Sequence, residues 1–365
     1  MKKILILTAG FGEGHNAAAR GVRDGLAQVA AAQADVELRD LFAETYGVVN
    51  DWARKGYLEL INRAPRAWST LYNWLDRKES FNGDFKLLYA LKNRLSQLLA
   101  RSRPDAVISV YPAYAHLLDE IFGCQGSGTC KRIVVVTDSI TVNAIWYRCS
   151  ADYFLVPNDA TEMILRSGGI AAERIKTFGF PVSPKFAEPG PTSETAEESG
   201  HRILYMINVG KATAPELARR LAELPEIKLT VTVGRDEKLR LAMERIRAAS
   251  NRDFEIIGWT EELPRILQSS HLLISKAGGA TVQETIAAGC PMIINQIVPG
   301  QEEGNARLIV ETGSGVIATS PEKVVIEVQR AFANDAQLWR EWSANIRQLS
   351  RPSASLEIAR FLISL

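Results

Sequence analysis

Short runs of β-branched and aliphatic residues alternate with helical patterns along almost the whole 365-residue chain. Parallel strands need long connections, usually helices, so this alternation predicts parallel sheets covered by crossover helices. Each half of the chain is expected to form its own doubly wound α/β sheet. The twelve expected strands are 3–8, 35–40, 106–110, 132–137, 153–156, 174–178, 203–207, 228–233, 254–257, 272–275, 291–296 and 315–318.

The segment between the two halves, residues 180–200, contains four prolines and a polar run. Such a composition cannot continue either sheet, and it predicts a linker over 181–200. We therefore expect an N-terminal domain over 1–180, a C-terminal domain over 201–345 and a terminal helix over 346–365. Because ligands of doubly wound domains bind where the strands end, a cleft between the domains is the expected site.

Charge and cysteine content exclude several classes of protein. The net charge is +1, from 43 basic and 42 acidic residues, which argues against nucleic acid as the main partner. Four cysteines (Cys124, Cys130, Cys149 and Cys290) lack zinc-ligand spacing and favour a reducing compartment. No window approaches 18 consecutive apolar residues, so no segment is expected to span a bilayer.

An aromatic and basic segment interrupts the alternation over 46–103. It holds 11 basic and 5 acidic residues, and nine aromatic residues fall within 46–89. Aromatic rings and cations on helices suit the boundary between lipid headgroups and acyl chains. The segment therefore predicts peripheral contact with a membrane, or else a helical insertion whose rings face its own core.

A glycine-rich turn, Gly10-Phe-Gly-Glu-Gly14-His15, follows the first expected strand and precedes a helix. Glycines allow a ligand to approach the backbone, and the amides at a helix start favour an anion. The same turn contains a G-x-G-x-x-A pattern, with Asp40 at the end of the second strand, which leaves a dinucleotide site open. A tight turn without any ligand is the structural alternative.

Two titratable residues at strand ends are candidates for proton transfer. His15 lies on the glycine turn, and an imidazole there is suited to act as a general base. Asp138 ends the run RIVVVTD at the carboxyl end of a strand, where it could act as a base or cap a following helix. The other three histidines are expected to be structural.

A second glycine turn, Ser275-Lys-Ala-Gly-Gly-Ala-Thr281, follows the strand HLLIS and opens a helix. Two glycines at a helix start, the Thr281 hydroxyl and the Lys276 ammonium are suited to hold a diphosphate. Glu284 lies one helical turn further on and can accept two hydrogen bonds from ribose hydroxyls. No G-K-[ST] follows, so the turn is not a P-loop.

A polar loop, VPGQEEGN over 298–305, follows the next strand. Its residues Gln301, Glu302 and Asn305 provide donors and acceptors for sugar hydroxyls. The chain lacks D-x-D and H-E-x-x-H motifs, so a departing diphosphate would be stabilised by the helix dipole, Lys276 and backbone amides. This pattern favours metal-independent sugar transfer over kinase or ATPase chemistry.

Six sequence blocks together resemble the monogalactosyldiacylglycerol synthases and the bacterial processive diacylglycerol glucosyltransferases. They are AGFGEGH, VISVYP, VVTDSITVNAIWY, FGFPVSPKF, SKAGGATVQETIAAGCPMIIN and VPGQEEGNA. The resemblance implies an α/β GT-B fold, in which two doubly wound Rossmann-like domains face a cleft, with a C-terminal helical segment. It further implies inverting, metal-independent transfer of a hexose from a UDP-sugar to diacylglycerol or a related lipid, without a cofactor.

The resemblance also assigns residues. His15 would lie near the reacting centre, where Asp138 is the second candidate because of its place at a strand end, Trp259 would lie against the uracil, and Trp52, Trp68, Tyr72 and Trp74 would lie at the membrane and acceptor. The full set of donor-binding candidates is Gly14, Asn208, Arg235, Trp259, Lys276, Gly278, Gly279, Ala280, Thr281, Glu284, Gln301, Glu302 and Asn305. The implied location is the cytoplasm, peripheral to the inner face of the cell membrane and in contact with anionic lipid.

One turn departs from the family pattern. Residues 207–211 read Ile-Asn-Val-Gly-Lys, where relatives tend to carry a glycine-rich turn. Asn208 and Lys211 can still donate to phosphate, but the change leaves other functions open. The alternatives are a UDP-sugar epimerase, a non-catalytic protein that binds nucleotide sugars or lipids, and a dinucleotide dehydrogenase.

Overall fold

The computed structural model describes residues 1–10, 13–47, 88–123, 130–140, 142–190, 200–208, 210–250, 252–298 and 302–365. Contacts within the chain divide it into two units. The first unit comprises Met1–Pro184, Pro299–Gly304 and Ser353–Leu365, and the second comprises Lys185–Val298 and Asn305–Pro352. Part of the segment predicted as a linker, 191–199, lies outside the described residues.

The first unit is built on a six-stranded sheet of order β2-β1-β3-β4-β5-β6, in which every pair of neighbours is parallel. All six strands expected in the first half of the chain are confirmed. They are β1 Lys2–Leu7, β2 Ala34–Arg39, β3 Ala106–Ser109, β4 Lys131–Val135, β5 Tyr153–Val156 and β6 Ile175–Thr177.

The second unit contains another parallel sheet of six strands, of order β12-β11-β10-β7-β8-β9. The six strands expected in the second half are likewise confirmed. They are β7 His201–Met206, β8 Ile227–Gly234, β9 Glu255–Gly258, β10 Leu272–Lys276, β11 Met292–Gln296 and β12 Gly315–Ile317.

Helices connect the strands of both sheets. Residues 41–47 are helical up to the edge of the described region. The helices with fully described bounds are α1 Glu13–Ala30, α2 Tyr89–Ser102, α3 Pro112–Phe122, α4 Asp159–Ser167, α5 Ala214–Ala222, α6 Glu237–Ala249, α7 Leu263–Ser269, α8 Gly279–Ala288, α9 Glu303–Glu311, α10 Pro321–Leu349 and α11 Ala354–Ser364.

Both faces of the first sheet are buried, as helices on two sides require. Alternate residues of β1 enter different cores because successive side chains of a strand point to opposite faces. Ile4 and Ile6 pack with α1 and α11, whereas Leu5 and Leu7 pack with α2 and α3. Strand β1, an interior strand of the sheet, is therefore packed on both faces.

The last helix of the chain, α11, packs against α1 within the first unit. The backbones approach closely at Gly25, where an added Cβ would lie 2.4 Å from the Ser355 carbonyl oxygen. At the same end, the Lys2 ammonium donates to the Ile363 carbonyl oxygen at 2.9 Å. These contacts attach the chain terminus to the sheet that carries the first glycine turn.

The aromatic segment predicted to contact a membrane falls largely on residues 48–87, which lie outside the described residues. Trp52, Trp68, Tyr72 and Trp74 are among them, so their assignment stays a prediction. Within the described ranges, none of the helices has both the length and the apolar character needed to cross a membrane.

Candidate active site

Parallel strands end at one edge of their sheet, here called the carboxyl edge. The loops after β1, β2, β3 and β4 therefore share the carboxyl edge of the first sheet, and those after β7 to β11 share that of the second. The predicted site residues with described positions fall on these loops or on the helices that start from them.

The first glycine turn is held by Asp40, which follows β2. Its Oδ2 accepts from the Gly10 amide at 2.9 Å, and its Oδ1 accepts from the Ala43 amide at 3.0 Å. Both carboxylate oxygens thus bind backbone amides, as expected of a residue that shapes the turn. Residues 11 and 12, on which the dinucleotide pattern depends, lie outside the described residues.

His15 lies next to Gly14 in the first turn of α1. Its Nδ1 is 3.1 Å from the hydroxyl oxygen of Thr137, a buried residue just beyond β4. The ring also packs edge-on against Tyr111, with centroids 5.1 Å apart. Burial lowers the pKa of His15 to about 4, although a hydrogen bond with the Val110 backbone opposes the shift. The imidazole is therefore neutral at pH 7.

Asp138 follows Thr137 and makes a strong contact with a tryptophan. The indole Nε1 of Trp146 donates to Asp138 Oδ2 at 2.7 Å. Burial raises the pKa of Asp138 to about 6, and the indole hydrogen bond partly offsets that rise. Asp138 does not cap the next short helix, the 3₁₀ turn Ala144–Trp146. Asn143 caps that turn instead.

Trp146 brings the two candidate proton-transfer residues into one cluster. Its ring centroid is 5.9 Å from that of His15, while its N–H holds Asp138. The sequence reasoning identified His15 and Asp138 but missed Trp146 and Thr137. Trp146 stands in the block VVTDSITVNAIWY, and Thr137 directly precedes Asp138. Proximity along the chain was thus the available signal, whereas the indole contact depends on the tertiary fold.

In the second unit, the carboxyl edge places predicted donor-binding residues after four adjacent strands. These are Asn208 after β7, Arg235 after β8, Trp259 after β9, and the turn 276–281 at and beyond the end of β10. The Arg235 guanidinium carbon lies 4.7 Å above the Trp259 ring centroid. Trp259 is 59% exposed, so this cation–π contact is open to solvent.

The second glycine turn leads directly into α8. Gly278 is the N-cap residue and supplies no side-chain cap, so the first amides of the helix have no partner from that position. A Cβ added at Gly279 would lie 3.7 Å from Asn305 Nδ2, an ordinary contact distance. Ala280 and Thr281 are buried, and Lys276 is half-buried at the end of β10. This arrangement offers amide donors, a helix dipole and one cation to an anion.

The remaining donor-binding candidates lie in α8 and in the loop after β11. Glu284 is half-buried in α8, one helical turn beyond Ala280. The Asn305 side-chain amide donates to the Ala277 carbonyl oxygen at 3.2 Å, which ties α9 to the glycine turn. Glu302 is 6% exposed and belongs to the short segment assigned to the first unit. Gln301 lies outside the described residues.

The unusual turn after β7 is held by polar contacts that sequence reasoning did not anticipate. Asn208 Nδ2 donates to Ser275 Oγ at 3.4 Å, and Lys211 forms an ion pair with Asp236. Gly210 has a φ of +68°, and a Cβ there would lie 2.8 Å from Gln296 Oε1. A glycine is required at this one position of the turn. Among the described residues, no three His, Cys, Asp or Glu side chains are grouped to hold a metal ion.

Two family models match consecutive parts of the chain. The model described as monogalactosyldiacylglycerol (MGDG) synthase matches residues 15–182, and the model of the glycosyltransferase family 28 C-terminal domain matches residues 208–352. The first half of the chain is thus similar to MGDG synthases and the second half to the C-terminal domain of family 28 glycosyltransferases. These matches confirm the resemblance drawn from the six sequence blocks, and with the relatives they confirm an enzyme of the hexosyltransferase class that serves glycolipid synthesis.

Curated relatives match the chain along nearly its full length. The probable monogalactosyldiacylglycerol synthase 2 of Oryza sativa subsp. japonica is 26% identical over 98% of this chain and 80% of its own length. The processive diacylglycerol beta-glucosyltransferase of Bacillus subtilis is 24% identical, covering 97% of this chain and 93% of its own length.

Solved structures of the same fold include other enzymes. MurG of Acinetobacter baumannii aligns with a TM-score of 0.62 at 17% identity, covering 100% of both chains. The UDP-GlcNAc 2-epimerase of Neisseria meningitidis, bound to UDP-GlcNAc, aligns with a TM-score of 0.60 at 13% identity, again covering 100% of both. At these identities the likeness shows the fold alone, and the predicted GT-B fold is confirmed.

Proposed function

We propose that this chain transfers galactose or glucose from a UDP-sugar to diacylglycerol or a related membrane lipid. The observation that carries the proposal is the start of α8, where a glycine N-cap leaves helix amides available beside Lys276. The matching family models supply the reaction class. One of the two relatives described above is named as a monogalactosyldiacylglycerol synthase and the other as a diacylglycerol glucosyltransferase. A micelle assay distinguishes this function from a UDP-sugar epimerase and from a non-catalytic binding protein.

On the donor side, the amides of Gly278 to Thr281 and the Lys276 ammonium would hold the diphosphate. Glu284 would accept from the ribose, the exposed ring of Trp259 with Arg235 would cover the uracil, and Gln301, Glu302 and Asn305 would bind the sugar. Fixed dipoles and one cation stabilise a departing diphosphate without requiring a divalent ion. The proposal therefore includes metal independence.

On the acceptor side, the lipid hydroxyl oxygen would attack the anomeric carbon from the face opposite the diphosphate. The new carbon–oxygen bond forms as the bond to the diphosphate breaks, and the electron pair leaves with UDP. The hydroxyl proton passes to His15 or Asp138. A single displacement of this kind inverts the anomeric configuration.

The lipid acceptor implies that the enzyme works at a membrane surface. The basic and aromatic segment 46–103 would contact anionic lipid, since its 11 cationic side chains outnumber its 5 acidic ones. The proposed location is the inner face of the cell membrane, with the enzyme bound peripherally.

A micelle assay with the full chain tests the proposal. Purified protein is given UDP-galactose, UDP-glucose or UDP-N-acetylglucosamine with diacylglycerol micelles, with and without an anionic lipid and with and without EDTA. We expect glycolipid and UDP from one of the hexose donors, a rate raised by anionic lipid, and no effect of EDTA. Conversion of the UDP-sugar without lipid would indicate an epimerase, and binding without turnover on any donor would indicate a non-catalytic protein.

A variant of the donor site adds a second test. Glu284→Ala should lower kcat/KM at least about tenfold, roughly 1.4 kcal/mol, because a ribose contact is lost. Glu311→Ala is the matched control, since Glu311 pairs with Arg307 on the surface of α9. Equal rates for the two variants would remove Glu284 from the donor site.

A further inference from the structure

Trp146 contacts both candidate proton-transfer residues of the first unit. Its indole N–H donates to Asp138 Oδ2 at 2.7 Å, and its ring lies 5.9 Å from the His15 ring, centroid to centroid. The side chain is only 2% exposed, so packing restricts its rotation. A fixed indole can therefore hold the Asp138 carboxylate in one orientation.

The short turn that carries Trp146 is itself held from two sides. Asn143 Oδ1 accepts from the Ile145 amide at 2.9 Å and so caps the 3₁₀ turn. His116 Nε2, from α3, lies 2.9 Å from the Ile145 carbonyl oxygen. The position of the turn that carries the indole is thus set by Asn143 and His116.

We propose that Trp146 is a positioning residue that fixes Asp138 as the group which takes the proton of the acceptor hydroxyl, with His15 as a neighbouring ring. This inference rests on the proposed function and decides between the two bases that it leaves open. The Trp146 indole donates to Asp138 Oδ2, whereas Asp138 Oδ1 makes no hydrogen bond within the described part of the chain. The hydroxyl proton passes to Oδ1 as the sugar–oxygen bond forms and UDP leaves with the electron pair of the broken bond.

The protonation behaviour of the two residues supports this division. A carboxyl whose pKa is about 6 is ionised at pH 7 and is still basic enough to accept a proton. The His15 imidazole, with a pKa of about 4, is neutral at pH 7 but a weaker base. Its Nδ1 is also engaged with the Thr137 hydroxyl.

Other titratable groups around Asp138 and Trp146 must be separated from Asp138 in a pH experiment. In the described part of the first unit these include His15 from α1, Tyr111 from the loop after β3, His116 from α3, and Cys149, whose Sγ lies 3.7 Å from the Trp146 carbonyl oxygen. Burial and the Trp146 indole account for the pKa of Asp138, with no charged side chain among the causes. A site-specific measurement is therefore preferable to a rate profile alone.

The experiment compares Trp146→Phe with Trp339→Phe in the full chain. Trp339, in the second unit, donates from its indole to the His271 carbonyl oxygen at 2.6 Å, so the control loses a similar ring and hydrogen bond. The Asp138 pKa is followed by NMR of ¹³C-labelled carboxyl groups, and Asp138→Asn identifies the signal. The acid limb of the kcat/KM profile is measured in the same variants and in His15→Gln.

In Trp146→Phe, we expect the Asp138 pKa and the acid limb to move upward together by about 0.5 to 1, because a hydrogen bond to the ionised form is lost. Trp339→Phe should leave both in place, and His15→Gln should keep the acid limb. If Trp146→Phe does not fold, Asn143→Ala, which removes the cap of the turn, should give a smaller shift in the same direction.

An unmoved Asp138 pKa in these variants overturns the positioning role. An acid limb that persists in Asp138→Asn and disappears in His15→Gln overturns the choice of Asp138 as the base. A shifted Asp138 pKa in a protein that transfers no sugar to any lipid rejects the proposed function but upholds the contact between Trp146 and Asp138. The two failures are therefore distinguishable.

Discussion

The glycine turns that start α1 and α8 look alike in sequence but are surrounded by different chemistry. Around the first turn, burial pushes His15 and Asp138 towards their neutral forms. The second turn shares its sheet edge with the loops after β7 and β8, where Lys211 pairs with Asp236 and lowers the pKa of that carboxyl. Neutralisable groups suit proton transfer, whereas retained charges and bare amides suit anion binding. Two similar turns thus indicate two different tasks.

Asp138→Asn gives the largest expected effect and tests the first turn. Loss of a general base should lower kcat at least about 100-fold, with little change in the KM for the UDP-sugar. The folded protein should nevertheless become more stable at pH 7. Burial disfavours the ionised form of Asp138, and this lowers the free energy of unfolding. The loss is absent below the usual carboxyl pKa, where the group is protonated in both states, and is complete above about pH 6.

Because Asp138 keeps some exposure to solvent, the expected gain is about 1 to 2 kcal/mol in the free energy of unfolding at pH 7. Urea unfolding measures the gain, and kcat is measured in the micelle assay. Asp105→Asn is the control, since Asp105 precedes β3 and accepts from the Lys3 amide at 2.7 Å. A variant that loses both stability and activity would mean that Asp138 is structural.

Gly279→Ala tests the second turn. The structure accommodates the added methyl group, which would lie 3.7 Å from Asn305 Nδ2, so the thermal midpoint should not fall. A diphosphate against the helix start would meet that methyl group, and the KM for the UDP-sugar should rise about tenfold with kcat less affected. Calorimetry with UDP should show the same loss.

Gly21→Ala is the counterpart in α1. A Cβ there would lie 1.8 Å from the Pro181 carbonyl oxygen, so this variant should lose stability. Gly21 would then be a glycine required by the fold and Gly279 one required by the ligand. Unchanged UDP affinity in Gly279→Ala would contradict the assignment of the diphosphate to this helix start.

The strands could be predicted because each is a short apolar run bounded by turn residues. Their ends differ from the prediction by a residue or two: β4 ends at Val135 rather than 137, although the Val136 amide still bonds to Leu155 of the neighbouring strand. Contacts between distant residues could not be predicted. The pairing of Lys211 with Asp236 and the attachment of α11 to α1 depend on how the sheets bring separate loops and helices together.

A smaller effect at the first turn is expected in the pH dependence of the free energy of unfolding, through His15. His15 has a folded pKa of about 4, below its usual 6.5, so the unfolded chain binds the extra proton first. Above pH 6.5 His15 is neutral in both the folded and the unfolded chain, so its titration costs no stability. As the pH falls from 6.5 towards 4, the unfolded chain takes up the proton and the free energy of unfolding decreases. His15→Gln should therefore lose about 1 kcal/mol less than the wild type between pH 7.5 and 5, measured by urea unfolding. Equal losses would place the imidazole in contact with water.

The smallest expected effect concerns the turn after β7, where Lys211 is held by Asp236. If Lys211 contributes to phosphate binding, it must exchange one anionic partner for another, and exposed ion pairs are worth only about 0 to 1 kcal/mol.

The variant Asp236→Asn tests this exchange. In the wild type, Asp236 Oδ1 accepts from the Leu239 amide at 3.0 Å and so caps α6, and the asparagine side chain keeps an oxygen that can do the same. Freeing the ammonium in this way should lower the KM for the UDP-sugar about twofold, and Lys211→Met should raise it by a similar factor. Both changes should fade at high salt, because exposed charges are screened. A KM unaffected by Lys211→Met would leave donor binding to the α8 turn alone, and the contrast between the two glycine turns would then rest on that helix start.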